Sequence, residues 1–126
     1  MAVLLDFRVH PGEWAVCRLD PAEPFPSWAA GAFVSLTRTP EELSLVCAAD
    51  AVPEGVRAER GWAMLELAGP FEFQTTGVLA SFLVPLAKEG VPVFAISTYD
   101  TDWVLVPEQR LGDALRALKA AGHNEI

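Results

Sequence analysis

The strongest constraint on the fold of this chain is an internal repeat. Four segments recur in the same order: Trp14–Leu19 matches Trp62–Leu67, Pro24-Phe25 matches Pro70-Phe71, 33–37 matches 94–98, and 43–46 matches 103–106. The first pair reads WAVCRL against WAMLEL, and the third reads FVSLT against FAIST. Because four matched segments in one order rarely arise by chance, we predict a single structural unit used twice.

The two copies differ in length between their first and third segments. Trp14 and Phe33 are 19 residues apart, whereas Trp62 and Phe94 are 32 residues apart. The difference of 13 residues is about three and a half turns of α-helix at ~3.6 residues per turn. We therefore predict a strand, helix and hairpin unit whose first copy lacks most of its crossover helix. We assign the two units to residues 1–60 and 61–126.

The crossover helix of the second copy is predicted from an apolar stripe at helical spacing, formed by Val78, Leu79, Phe82, Leu83 and Leu86. Thr75 or Thr76 is expected to cap its first turn, because a hydroxyl can accept a bond from an unpaired amide there. Gly90 is typical of the position that ends a helix. Pro85 removes one helical hydrogen bond, so we expect a kink near Ser81.

The remaining elements follow from alternating or wholly apolar runs, which predict strands at 3–9, 13–19, 33–38, 43–48, 62–67, 93–98 and 102–106. Pro11 and Gly12 are expected to stop the first strand, and 49–60 to form a polar connection. A closing helix should begin near Pro107 and end at Gly122. This order predicts an α+β fold of two tandem ferredoxin-like units, with an antiparallel sheet and helices on one face.

Composition excludes several classes of function. The 126 residues carry a net charge of −8, which argues against binding to nucleic acid or to anionic membrane surfaces. No apolar run approaches the ~20 residues needed to span a bilayer. The N-terminus has no basic lead and carries Asp6 early, so it does not resemble a signal peptide. We therefore expect a cytoplasmic protein.

The cysteines and histidines suggest no metal or cofactor site. Cys17 and Cys47 lie in apolar strand-like runs, which favours two buried, reduced thiols over a disulfide. His10 and His123 are far apart in the chain and adjoin residues that break regular structure. We expect both histidines to be solvated, and we predict no cofactor.

The second copy resembles ACT domains in two segments, Gln74–Val78 (QTTGV) and Ile96–Glu108 (ISTYDTDWVLVPE). The likeness covers 61–122 well and 13–48 loosely. It extends to stand-alone bacterial tandem ACT proteins, to aspartate kinase regulatory domains and to the ACT repeats of eukaryotic cytosolic arginine sensors. The resemblance implies a ferredoxin-like regulatory or sensor module that binds an amino acid and is not an enzyme. One departure counts against arginine: those sensors supply an acidic side chain from the loop before the helix, where this chain has QTT at 74–76.

The chemistry of the second copy fits a free amino acid independently of the resemblance. Amides at the helix start, together with the positive end of its dipole, can hold a carboxylate, and Gly77 allows close approach to the backbone. Strand carbonyls can accept from an ammonium group, and Asp102 can pair with it or with a basic side chain. The predicted ligand-binding residues are Gln74, Thr75, Thr76, Gly77, Val78, Ala95, Ile96, Ser97, Thr98 and Asp102. Each also has a plain structural interpretation as a cap, strand or turn residue.

Two other classes of function stay open on the sequence. An enzyme is disfavoured because no nucleophile and base pair can be identified from the spacing, and lysines occur only at 88 and 119. A ligand-free interaction subunit would use a sheet edge or an apolar patch to pair. The apolar fraction of 52% is high for so short a chain and favours self-association. We therefore expect a homodimer, and a regulated enzyme partner that the sequence does not name.

Overall fold

The structure is a computed structural model that describes residues 3–72 and 74–126. The described residues form seven strands and two α-helices, in the order β1 (Asp6–Leu19), β2 (Ser35–Arg38), β3 (Leu43–Ala48), β4 (Arg57–Leu67), α1 (Val78–Lys88), β5 (Phe94–Ser97), β6 (Asp102–Pro107), α2 (Leu111–Ala120) and β7 (Asn124–Glu125). Short 3-10 turns occur at Ala49–Ala51 and Glu108–Arg110. Neither helix has the length and apolar character needed to cross a bilayer.

The chain divides into two compact units. One, here called the hairpin unit, is Gly12–Trp62, and the other, here called the helical unit, joins the residues up to Pro11 with Ala63–Ile126. Strands β1 and β4 therefore contribute to both units. The division of the repeat at residue 60 that we infer from the sequence stays a prediction, since these units are defined by contacts between residues.

In the helical unit, β1 lies between β7 and β4, followed by β6 and then by β5 at the edge. β5 and β6 are antiparallel, with Phe94 opposite Leu105 and Ser97 opposite Asp102. In the hairpin unit the strand order is β2-β3-β1-β4, and both β2–β3 and β3–β1 are antiparallel. The α+β ferredoxin-like fold predicted from the repeat is confirmed.

The core of the helical unit is the apolar stripe of α1 pressed against the sheet. Val78, Phe82 and Leu86 are buried, and they meet side chains from three strands and α2, including Phe7, Leu65, Val104, Val106 and Leu118. The Phe7 and Phe82 rings meet edge to face with centroids 5.4 Å apart. Fully burying one such side chain stabilises the fold by roughly 1.5–3 kcal/mol, so this layer fixes the position of α1.

The start of α1 differs from the prediction. Its cap residue is Gly77, in the left-handed conformation with φ of 80°, and no side chain bonds to the first turn. The predicted caps Thr75 and Thr76 are therefore wrong. The end is as predicted: Gly90 has φ of 75°, and the amide of Val91 bonds back to the carbonyl of Leu86 at 3.0 Å.

The helix continues through Pro85 because a histidine replaces the missing donor. Pro85 has no amide to offer the carbonyl of Ser81, one turn earlier. His123 Nε2 lies 2.8 Å from that carbonyl oxygen, and Nδ1 accepts from the amide of Leu5 at 3.1 Å. His123 is 4% exposed, so the expectation of a solvated side chain is wrong.

The other histidine is also partly shielded. His10 Nε2 lies 2.7 Å from a carboxylate oxygen of Glu66, and its ring centroid is 5.4 Å from that of Trp103. His10 is therefore half-buried, with its side chain still 31% exposed, and the expectation of a solvated histidine holds only in part. Among the residues that the structure describes, no group of three or more possible metal ligands occurs.

Two strand boundaries also differ from the predicted ones. β1 runs through Pro11 and Gly12 without interruption. Pro11 lies between the residues of β1 that pair with β7 and those that pair with β3, and Gly12 has a φ of 111° that glycine adopts readily. β4 starts at Arg57, inside the predicted polar connection. Its Arg60 guanidinium donates to the carbonyls of Ala49 and Val52 at 2.9 and 3.2 Å. The start of β4 is not predicted from the sequence because its first residues include charged side chains at Arg57, Glu59 and Arg60.

The hairpin unit closes its core without a crossover helix, as predicted. Residues 20–34, all of which the structure describes, contain no helix. Trp28 and Ala29 instead pack on the sheet residues Ala15, Cys17, Leu45 and Cys47. Both cysteines are free and buried. Burial raises the pKa of both thiols, that of Cys47 to about 11. The predicted pair of buried, reduced thiols is confirmed.

Candidate functional site

A groove of about 380 Å³ lies in the helical unit, between the start of α1 and the turn that joins β5 to β6. Two chain segments and the turn form its walls. Its lining residues are Phe71, Glu72, Thr75, Gly77, Val78, Leu79, Ala80, Ser97, Thr98, Tyr99, Asp100, Thr101 and Asp102. The volume falls at the low end of the range for small-molecule sites in proteins, which is roughly 300–1,000 Å³.

The helix wall presents backbone amides. The first backbone bond within α1 runs from the amide of Ser81 to the carbonyl of Gly77 at 2.9 Å, so the amides of Val78, Leu79 and Ala80 precede the regular pattern. Such first-turn amides have no intrahelical partner. They coincide with the positive end of the helix dipole. This wall suits a carboxylate.

The opposite wall is a compact turn. The amide of Thr98 donates to the carbonyl of Thr101 at 2.8 Å, and the Thr98 hydroxyl donates to the same oxygen at 3.0 Å. Beyond the turn, the Ser97 hydroxyl donates to a carboxylate oxygen of Asp102. Since Ser97 and Asp102 are paired across the hairpin, the strand register places both side chains at the groove.

Three carboxylates give the groove its charge. Glu72, Asp100 and Asp102 line it, and none of the described lining residues is basic. Gln74 donates to Glu72 Oε2 at 3.1 Å, which orients that carboxylate beside the helix start. A groove lined by one sign of charge concentrates ligands of the opposite sign. The arrangement therefore favours a ligand with at least one cationic group.

The structure brings together six of the predicted binding residues: Thr75, Gly77, Val78, Ser97, Thr98 and Asp102. The four others, Gln74, Thr76, Ala95 and Ile96, do not line the groove. Gln74 contributes indirectly, through its bond to Glu72. The binding role of all ten stays a prediction.

Sequence reasoning missed Glu72, and this changes the interpretation of the loop. That reasoning found no acidic side chain before the helix because it stopped at Gln74. Glu72 lies two residues earlier and lines the groove. Its position between two phenylalanines, directly before the loop, is the signal that could have identified it.

Comparison with known proteins agrees with this architecture. A family model for the ACT domain matches residues 57–120, and a second model, for an N-terminal domain, matches residues 12–55. The cytosolic arginine sensor for mTORC1 subunit 1 from Bos taurus is 35% identical over 97 residues, which are 68% of this chain and 30% of the relative. The Rattus norvegicus protein is 33% identical over 103 residues, or 74% of this chain and 31% of the relative.

Solved structures extend the comparison to the whole chain. A protein from Agrobacterium tumefaciens has a TM-score of 0.94 and 38% identity, covering 99% of this chain and 94% of its own. The ligand-free regulatory subunit of aspartate kinase from Thermus thermophilus has a TM-score of 0.62 and 16% identity, covering 94% of each chain. The second likeness concerns the fold alone. With a family model matching half of its length, the chain belongs to the ACT domain family.

Proposed function

We propose that this protein is a regulatory or sensor module that binds a free amino acid in the groove of the helical unit. The observation that carries the proposal is the polarity of the groove. One wall presents the amides of Val78, Leu79 and Ala80, and the other presents Asp100 and Asp102. A zwitterion has a negative and a positive group that such walls would hold at the same time.

The ligand we favour has a basic side chain. An amino acid uses one anionic partner for its α-ammonium group, and this groove has three carboxylates, the third being Glu72. A second cationic group on the ligand would pair with one of the two carboxylates that are left. The matched relatives are called arginine sensors, which supports the same choice. The matched segments span less than a third of those relatives, so their other properties are not transferred.

The proposal is one of regulation and not of catalysis. Glu72, Asp100, Asp102, Ser97 and the threonines supply binding groups, and the described lining residues include no histidine, lysine or cysteine. We propose that ligand binding changes the affinity for a partner protein in the cytoplasm. A protein that catalyses no reaction can still transmit a signal in this way, because the binding of one ligand can change the affinity for another, and the coupling is reciprocal.

We also propose that the protein works as a homodimer. β5 lies at the edge of the strand order, so one side of Phe94–Ser97 has no neighbouring strand among the described elements. An edge of this kind is suited to pairing with another chain. Light scattering across micromolar concentrations checks the proposal, and a monomer throughout that range contradicts it.

A thermal-shift screen against the twenty standard amino acids tests the proposed function. We expect arginine or lysine to raise the melting temperature, because a ligand that binds the folded state stabilises it by mass action. Neutral analogues of the same length, such as citrulline, serve as matched controls for the cationic group. If no amino acid shifts the melting temperature at millimolar concentration, the proposed function is wrong and a ligand-free interaction subunit is favoured.

A further inference from the structure

The turn between β5 and β6 contains one buried polar residue. Thr101 is 8% exposed, whereas Tyr99 in the same turn is 79% exposed. The Thr101 hydroxyl donates to the carbonyl of Leu67, the last residue of β4, at 2.7 Å. A buried hydroxyl is costly unless it is bonded, so this contact specifies where the turn sits relative to the end of β4.

A second bond joins the same two segments. The amide of Phe71 donates to the carbonyl of Asp100 at 2.9 Å. Between the two bonded positions lies Gly69, where an added Cβ would be 2.8 Å from the Asp100 carbonyl oxygen and 3.0 Å from Cβ of Thr101. The two segments are therefore in direct contact, with no room for a side chain between them.

These contacts adjoin two acidic residues that line the groove. Glu72 directly follows Phe71, and Asp100 directly precedes Thr101. Both carboxylates line the same groove, and like charges repel, which tends to separate the segments that carry them. The bonds from Thr101 and Phe71 oppose that separation. They hold the two segments at a fixed spacing. Phe71 and Thr101 themselves line the groove, but the Thr101 hydroxyl is engaged by the carbonyl of Leu67.

We propose that Thr101 is a positioning residue that sets the preference of the groove for a cationic side chain. The inference rests on the proposed function. Thr101 acts through Glu72 and Asp100, by holding their segments at the spacing that lets both carboxylates face one cation. Loss of the hydroxyl should weaken the binding of the charged ligand and should have little effect on its neutral analogue.

The experiment compares arginine with citrulline, which has the same length and no charge, by calorimetric titration. Thr101→Val keeps the shape and removes the hydroxyl, whereas Thr101→Ser keeps the hydroxyl. We expect Thr101→Val to reduce the ratio of arginine to citrulline affinity by about tenfold, close to the net effect of one hydrogen bond. Thr101→Ser should restore the wild-type ratio. An equal loss for both ligands overturns the proposal, because it indicates a structural role alone.

A second variant, Gly69→Ala, tests the positioning role without changing Thr101. Hydrogen exchange tests the same role without any ligand. Gly69→Ala leaves the Thr101 hydroxyl in place and pushes the same segments apart, so it should also lower the ratio. Hydrogen exchange at the Phe71 amide should be faster in Thr101→Val and unchanged in Thr101→Ser. If wild type binds neither arginine nor citrulline, the proposed function fails. In that case, unchanged exchange at Phe71 in Thr101→Val would also overturn the positioning role.

Discussion

The turn between β5 and β6 in the helical unit has a counterpart between β2 and β3 in the hairpin unit. In the first, the amide of Thr98 bonds to the carbonyl of Thr101 at 2.8 Å, and in the second the amide of Thr39 bonds to the carbonyl of Glu42 at 2.9 Å. Each turn begins with a threonine that directly follows its strand. The repeat seen in the sequence is therefore preserved in the geometry of the two turns.

The residues that flank the two turns differ in a way that explains why one turn borders a groove. The helical unit has Ser97 and Asp102 at the last strand pair, whereas the hairpin unit has Arg38 and Leu43. The Arg38 guanidinium donates to the carbonyl oxygens of Pro21 and Glu23, in the loop that replaces the crossover helix. The hairpin unit has this loop in place of the helix, and the loop presents backbone carbonyls where the helical unit presents backbone amides. The side chain of Arg38 binds those carbonyls.

The crossover helix of the helical unit therefore has two roles. It covers the sheet, and its first turn supplies donors for an anion. The hairpin unit recovers the first with Trp28 and Ala29 and does not recover the second. We therefore expect ligand binding in the helical unit only.

The largest expected effect separates the two ways of covering the sheet. Phe82 of α1 is fully buried, so Phe82→Ala should lower the free energy of unfolding by about 3–5 kcal/mol. Trp28→Ala in the hairpin unit should be milder, because Trp28 is half-buried at the margin of its cluster. Urea denaturation followed by circular dichroism measures both. A larger loss for Trp28→Ala would show that the loop, and not α1, is the main cover.

The next effect concerns the charge that distinguishes the two turns. Asp102→Ala removes a carboxylate from the groove, and it should weaken binding of the amino acid found in the screen by about 1.5–3 kcal/mol. Glu54 lies in the hairpin unit and is exposed. Glu54→Ala is therefore the matched control, since it removes one carboxylate and should leave ligand affinity unchanged. Calorimetric titration of both variants decides the point. Equal affinities would mean that the ligand does not use Asp102.

The cysteines make the hairpin unit sensitive to alkali. The pKa of Cys47 is raised to about 11, chiefly by burial, from an unfolded value of ~8.5. The folded state then holds this proton more tightly, so its contribution is complete below pH ~8.5 and is lost as pH rises toward 11. We expect wild type to lose about 2 kcal/mol more than Cys47→Ala between pH 8 and pH 10.5. Parallel pH dependence in the two proteins, measured by urea denaturation, would contradict this.

Two glycines offer a matched test of the groove backbone. Gly77 and Gly55 both have positive φ, and an added Cβ would meet no heavy atom closer than 4.0 Å at either position. Alanine should strain both sites by about 1–2 kcal/mol, yet only Gly77→Ala should weaken ligand binding. Gly77→Val should weaken it further, because a larger side chain would occupy the approach to the helix amides. Unchanged affinity in Gly77→Val would show that this residue is a helix cap and nothing more.

The smallest expected effect concerns the bonds from Arg38 to the loop carbonyls of the hairpin unit. Arg38→Ala removes exposed bonds to the loop carbonyls, so the free energy of unfolding should fall by about 0.5–1.5 kcal/mol. Affinity for the amino acid should not change. A changed affinity for the amino acid in this variant, measured by calorimetric titration, would indicate that the hairpin unit takes part in binding. That result would contradict the difference inferred between the two turns.

Much of the fold follows from local pattern and from the repeat. The 13-residue difference between the copies predicts the place of the lost helix, and glycine capping predicts the end of α1 at Gly90. The start of α1 did not follow, because Gly77 provides the required conformation with no side-chain signal. The passage of β1 through Pro11 was also hidden, since tertiary pairing overrides the usual meaning of proline in a strand.

The site was predicted less completely than the fold. Thr98 and Asp102 could be inferred because the chain reverses between them. The position of Glu72 before the loop could have marked it as a candidate. That Glu72 and Asp100 line one groove could not be inferred, because this depends on bonds between segments separated by about thirty residues, such as that from Thr101 to Leu67. The burial of His123 has the same origin: its partners Leu5 and Ser81 are distant in sequence.

The most direct test of the central claim is a nuclear magnetic resonance titration of the uniformly nitrogen-labelled protein with L-arginine. We expect the amide signals of Val78, Leu79 and Ala80 to shift together with those of 98–102, while signals from 12–62 stay in place. Lysine should give the same pattern, and citrulline a weaker one. Shifts confined to 12–62, or no shifts with any standard amino acid, would contradict the assignment of the binding site to the groove of the helical unit.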